Sequence, residues 1–155
     1  MEQCNKIIEF LKTNNLTISG AESITGGLVS SEIVKVSGAS DVFRGTLVSY
    51  QSCVKINTLK VKRELIEKYT PVSLSVLSAM LDGAMSLFNT DIVYAITGSA
   101  GPSSYDGITV GLVYYGVKYQ KHQYLHKKIY NGERYDIIKE AKDDLIKLIL
   151  ETLSK

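Results

Sequence analysis

Two short stretches hold side chains whose types and spacing can do chemistry. Ser52-Cys53-Val54-Lys55 is formally an SxxK pattern. On a helical turn it puts a hydroxyl and an amine on one face, where a lysine kept neutral by desolvation serves as general base to a serine. Any lysine-rich chain produces that spacing by chance, and the SDN and KTG partners of penicillin-binding enzymes are missing. A solvated surface lysine is therefore the competing reading of Lys55. The second stretch, Gly20-Ala21-Glu22-Ser23-Ile24-Thr25-Gly26-Gly27, places hydroxyls and glycines where a strand should give way to a helix. Ser23 or Thr25 is a plausible N-cap, and Gly26 and Gly27 let backbone approach a ligand closely. First-turn amides without intrahelical partners, aided by the helix dipole, make an anion site whose natural guest is phosphate. The plain alternative is a tight, capped connection.

Other familiar sites are missing. There is no GxGxxG, GxxxxGK[ST], HExxH or GxSxG. His122 and His126 share a face in helix or strand, but no local carboxylate or cysteine joins them as a metal ligand. Cys4 and Cys53 have neither metal nor CxxC spacing and read as reduced, buried or half-buried thiols.

The elements that must position these residues alternate between helix and strand. Cys4, Ile7, Ile8 and Leu11 mark one face of an N-terminal helix that ends at Asn14-Asn15. Leu16, Ile18 and Gly20 alternate with Thr17 and Ser19 as a strand, and Leu28, Val29, Glu32, Ile33 and Val36 recur at helical spacing. A loop at Val36–Asp41 leads to a strand over Val42–Tyr50, with Gly45 as a possible bulge. Helices follow at Leu59–Tyr69 and, after Pro71, along the stripe from Val76 to Phe88. Asp91–Thr97 reads as a buried strand, and Gly98–Gly107 as a second loop rich in glycine and serine. Ile108–Val117 and Gln123–Tyr130 form a hairpin around Lys118–His122, and Ile137–Thr152 is a final amphipathic helix. The pattern predicts one α/β domain over residues 1–155, a three-layer α/β/α sandwich with a mixed sheet. Function in such folds sits beyond the strand ends, where the loops Glu22–Gly27 and Gly98–Asp106 fall. A third loop, Gly38–Asp41, precedes a strand and carries Ser40.

The chain has 155 residues, 45% hydrophobic and 22% charged, which suits one globular domain with a sizeable core. A net charge of +2 with dispersed lysines gives no electrostatic footprint for nucleic acid. No apolar stretch approaches the roughly twenty residues of a membrane span, and signal-peptide features are missing, so a cytoplasmic protein is expected.

Read together, several landmarks resemble the CinA C-terminal domain family. They are Ala21–Gly27, Gly38-Ala39-Ser40-Asp41-Val42-Phe43-Arg44-Gly45, Val48-Ser49-Tyr50 with Lys55, Pro71-Val72-Ser73, Thr97-Gly98-Ser99-Ala100-Gly101-Pro102, Val110-Gly111 and Gly132-Glu133-Arg134. The resemblance implies a homo-oligomeric amidohydrolase without metal or cofactor. Its expected reaction is deamidation of nicotinamide mononucleotide to nicotinic acid mononucleotide and ammonia, in pyridine nucleotide salvage. It further implies Ser40 as nucleophile, Lys55 as base and Tyr50 in their hydrogen-bond network, ranking Ser40 above Ser52. Candidates for holding the substrate are Glu22, Ser23, Thr25, Gly26, Gly27, Gly38, Ala39, Thr97, Gly98 and Arg134. Glu22 has two further readings, orienting a hydroxyl or the lysine, or serving as a buried structural carboxylate. This sequence departs from the family pattern at Thr46, Ser52, Pro71 and Ser103–Asp106. Those departures keep two alternatives open: a nucleotide- or phosphate-binding module of the same fold, and an amidase for another small carboxamide.

Overall fold

The computed structural model describes residues 1–155. In chain order the elements are α1 (Glu2–Thr13), β1 (Ile18–Glu22), α2 (Leu28–Val34), a 3-10 turn (Ala39–Asp41), β2 (Phe43–Val48), α3 (Ser52–Asn57), α4 (Arg63–Tyr69), α5 (Leu74–Phe88), β3 (Ile92–Gly98), β4 (Leu112–Tyr119), β5 (His122–Ile129) and α6 (Arg134–Leu153). The strands form one sheet in the order β2-β1-β3-β4-β5. β1 runs parallel to β2 and β3, whereas β3–β4 and β4–β5 are antiparallel. This is the expected α/β fold with a mixed sheet.

Burial follows from helices on both faces. β3 is apolar without a break from Ile92 to Ile96, all fully buried. On one side Ile7, Leu11, Ile33, Leu145 and Ile149 pack with Ile18, Tyr94 and Ile96. On the other, Val76, Leu77, Met80, Leu81 and Ala84 of α5 pack with Ala21, Val93 and Ala95.

Glycines set two close approaches. Gly20 pairs with Tyr94 across β1 and β3, and the Tyr94 ring lies over it; a Cβ there would fall 2.2 Å from the ring. In α5, Gly83 admits the Leu59 carbonyl, which would stand 2.0 Å from an added Cβ. That contact explains why the helix expected over Leu59–Tyr69 begins only at Arg63. Leu59 and Val61 are drawn into the core as an irregular segment, with Lys60 at φ +60°. Gly45 does sit at a bulge: the β1–β2 register steps from Ile18↔Phe43 to Ser19↔Gly45, leaving Arg44 unmatched.

Other boundaries shift. β4 starts at Leu112 rather than Ile108, because Tyr105 and Ile108 form an isolated bridge and Gly107 and Gly111 turn the chain at positive φ. α6 starts at Arg134, where Asp136 Oδ2 accepts a 3.2 Å bond from the Glu133 amide.

Strand polarity decides what the sheet can bring together. The carboxyl ends of β1, β2 and β3 share one edge, and β5, also running that way, delivers the start of α6 to it. The 3-10 turn precedes β2 and so lies at the other edge. The six residues of β2 separate the two edges by about 20 Å at ~3.3 Å per residue.

Candidate active site

Lys55 is the side chain around which the carboxyl edge closes. It sits on α3, the short helix that follows β2, and is only 1% exposed. Its Nζ lies 2.6 Å from the Ser49 carbonyl, 3.0 Å from Ser23 Oγ and 3.4 Å from the Tyr50 carbonyl. Burial pulls the amine down to about 8, with the neighbouring Cys53 opposing the shift. A neutral lysine amine has two N–H bonds and one lone pair. The two carbonyls can take the N–H bonds, leaving the lone pair for the proton of the Ser23 hydroxyl.

Ser23 is the first residue beyond β1. Its amide donates to the Ile96 carbonyl at 3.1 Å, which extends the β1–β3 ladder by one residue and fixes the backbone under the hydroxyl. The following amide, that of Ile24, has no partner within the chain.

These two residues share the wall of a cavity of about 560 Å³ at the carboxyl edge. Tyr50, Thr97, Gly98 and Arg134 also line it. Thr97 Oγ1 donates to the Pro71 carbonyl at 2.9 Å and ties the end of β3 to the loop before α5. Gly98 is forced to be small, since a Cβ would meet Val113, Ile24 and the Leu112 carbonyl at 2.8–3.0 Å. Arg134, the first residue of α6, donates to the Gly101 carbonyl at 2.6 Å and to the Tyr50 hydroxyl at 3.0 Å. The amides of Ala100 and Gly101 at the same wall have no internal partner. Arg134 lines the cavity, Lys55 adds a positive charge only below about pH 8, and no carboxylate is present, so the cavity favours an anionic guest.

The turn Glu22–Gly27 is built differently from the expected phosphate cradle. The Glu22 side chain, 0% exposed, accepts bonds from the Gly27, Val29 and Ser30 amides at 2.8–3.1 Å. Thr25 Oγ1 donates to it at 2.7 Å and the Tyr94 hydroxyl at 3.3 Å. The orphan donors of α2 are therefore filled by the chain's own carboxyl, and the N-cap is Gly27 at φ +103° rather than Ser23 or Thr25. Glu22, Thr25, Gly26 and Gly27 do not line the cavity. Burial beside the Glu22 carboxyl drives the Tyr94 hydroxyl well above its usual range.

Ser40 is not brought to Lys55. It lies exposed in the 3-10 turn at the amino edge, where with Gly38, Ala39, Arg44 and Gly45 it lines a separate cavity of about 480 Å³. The physical reason is topological, because a residue before a parallel strand cannot meet residues that follow its neighbour. Ser52 does line the main cavity, but the Lys55 amine bonds Ser23 instead. Tyr50 reaches Lys55 only through its carbonyl, while its hydroxyl serves Arg134. Cys53 is exposed rather than half-buried and lines the cavity; Cys4 is buried, and both are free. His122 and His126 lie on β5, where the His126 ring stacks on Tyr115 with centroids 5.4 Å apart.

The CinA C-terminal domain model matches residues 2–153. The chain belongs to the CinA C-terminal domain family. It is 41% identical over 154 residues to a CinA-like protein of Fusobacterium nucleatum, covering 97% of this chain and 37% of that one. To a CinA-like protein of Pseudothermotoga lettingae it is 34% identical over 149 residues, 96% of this chain and 37% of the other. The chain thus spans about a third of the length of these curated relatives. Among solved structures, a competence or damage-inducible protein from Enterobacter asburiae superposes with a TM-score of 0.95 at 25% identity, covering 98% of this chain and 96% of that one. The competence/damage inducible protein CihA from Agrobacterium tumefaciens gives 0.90 at 27%, covering 99% and 94%. No helix is long and apolar enough to cross a membrane.

Proposed function

We propose that this domain is an amidohydrolase that deamidates nicotinamide mononucleotide through Ser23 and Lys55. The observation that carries the reading is the 3.0 Å contact between a buried, low-pKa lysine amine and a serine hydroxyl in a cavity that Arg134 also lines and that holds no carboxylate. Lys55 takes the Ser23 proton as Ser23 Oγ attacks the carboxamide carbon. The oxyanion of the tetrahedral intermediate is met by unpartnered amides, of which Ile24 is the nearest in sequence. Protonated Lys55 then returns a proton to the departing ammonia, and water repeats the cycle on the acyl-serine. Arg134 and the Ala100 and Gly101 amides supply charge and donors for the substrate phosphate.

The reading is tested by incubating the purified protein with nicotinamide mononucleotide and following ammonia and the acid product together. Nicotinamide riboside, which lacks the phosphate, is run beside it. Stoichiometric ammonia and nicotinic acid mononucleotide, with kcat/KM at least about tenfold lower on the riboside, support it. Turnover of neither compound overturns it, and equal turnover of both removes the phosphate from the specificity.

A further inference from the structure

The most heavily bonded buried side chain near the cavity does not touch the cavity. Glu22 immediately precedes Ser23, and the alternation of a strand sends the two side chains to opposite faces of the sheet. Ser23 points toward Lys55, whereas the Glu22 carboxyl lies behind it and receives five donors. Those donors come from three places: the turn at Thr25 and Gly27, the first turn of α2 at Val29 and Ser30, and Tyr94 on the neighbouring strand. Tyr94 can reach Glu22 only because Gly20 has no Cβ to obstruct its ring.

We propose that Glu22 is a positioning residue for the nucleophile. Resting on the reading of Ser23 as nucleophile, it fixes the loop that starts there to both β3 and α2. The Ser23 hydroxyl thereby stays against the Lys55 amine, and the free Ile24 amide stays at the cavity wall. The carboxyl acts entirely through its neighbours and touches no substrate. Its place in the turn is the one a bound phosphate would take at an open helix start, so the motif spends its anion site on rigidity.

The test is the reactivity of Ser23 itself, read by labelling with phenylmethanesulfonyl fluoride and locating the adduct by peptide mass spectrometry. Glu22→Gln keeps one carbonyl oxygen but turns an NH2 group toward backbone donors, breaking the clamp on one side. In the folded variant the labelling rate of Ser23 should fall by about tenfold or more. Nicotinamide mononucleotide affinity, measured by calorimetry, should stay within about threefold, since Glu22 lies outside the cavity. A residue that served stability alone would lower the melting temperature and leave the labelling rate of folded protein unchanged, and that result overturns the proposal. Should Glu22→Gln not fold, Thr25→Val decides: it removes only the 2.7 Å hydroxyl donor. A labelling rate reduced about threefold or more supports the proposal, and an unchanged rate overturns it. Labelling needs no nucleotide, so a parent that labels at Ser23 but releases no ammonia from nicotinamide mononucleotide overturns the substrate assignment alone. A parent that does not label at Ser23 overturns both.

Discussion

Ser23 and Ser40 occupy similar turns, each beside small residues and glycine, at opposite edges of one sheet. At the carboxyl edge, Ser23 meets a buried amine and shares a cavity with unpartnered amides and Arg134, and the ends of β1, β2 and β3 with the start of α6 converge on that cavity. At the amino edge, Ser40 is exposed beside Arg44, and no buried base lies in its cavity. The same hydroxyl contacts a buried amine in one place and is an exposed surface group in the other. What differs is the direction of the adjoining strands, which decides which loops can share a site.

The contrast can be broken most directly at the base. Lys55→Ala should lower kcat by about a hundredfold or more, the scale of losing a positioned general base. Arg44→Ala, the corresponding loss of a cation at the amino edge, should leave kcat within about twofold. A steady-state comparison of the two variants measures the difference between the edges.

A second way is through pH. Because burial lowers the Lys55 amine to about 8, kcat/KM should rise with pH through that value as the neutral base forms. The same shift makes the folded state bind fewer protons than the unfolded state between about 8 and the ordinary lysine value. Lys55 should therefore add to stability as pH rises through that window. Denaturation of the parent and of Lys55→Met at pH 8 and pH 10 checks the sign.

Smaller effects sharpen the account. Arg134→Ala should raise KM by about tenfold with little change in kcat, because its guanidinium supplies anion recognition rather than proton transfer. Gly20→Ala should reduce the melting temperature by about 3–10 °C, the result of about 1–3 kcal/mol of overpacking against the Tyr94 ring. Tyr50→Phe removes one hydrogen bond to the exposed Arg134 and should cost at most about 1 kcal/mol in binding.

Much of this was legible in the sequence. The apolar run from Ile92 to Ile96, the α5 stripe and the terminal helix announced the layers, because burial on both faces leaves a plain pattern in the residues. Lys55, Tyr50, Thr97, Gly98 and Arg134, named together through the family resemblance, line one cavity, and the loops after β1 and β3 were expected at a common edge. The partner of Lys55 was not found. Ser23 was visible as a turn residue, and the reading of Ser40 as its partner passed over a clue that Gly38–Asp41 precedes its strand. Glu22 was harder, since a carboxylate before a glycine turn gives no local sign that it fills the helix start itself. The Leu59 irregularity was hidden for the same reason, because its cause, Gly83, lies on another element.

The proposed nucleophile is Ser23, and not Ser40. The measurement that tests it most directly is ammonia release from nicotinamide mononucleotide by the parent, Ser23→Ala and Ser40→Ala at equal folded concentration and pH 8. Activity is expected in the parent, with a loss of about a hundredfold or more in Ser23→Ala and survival within about threefold in Ser40→Ala. A Ser23→Ala protein that still turns over while Ser40→Ala is dead would contradict it.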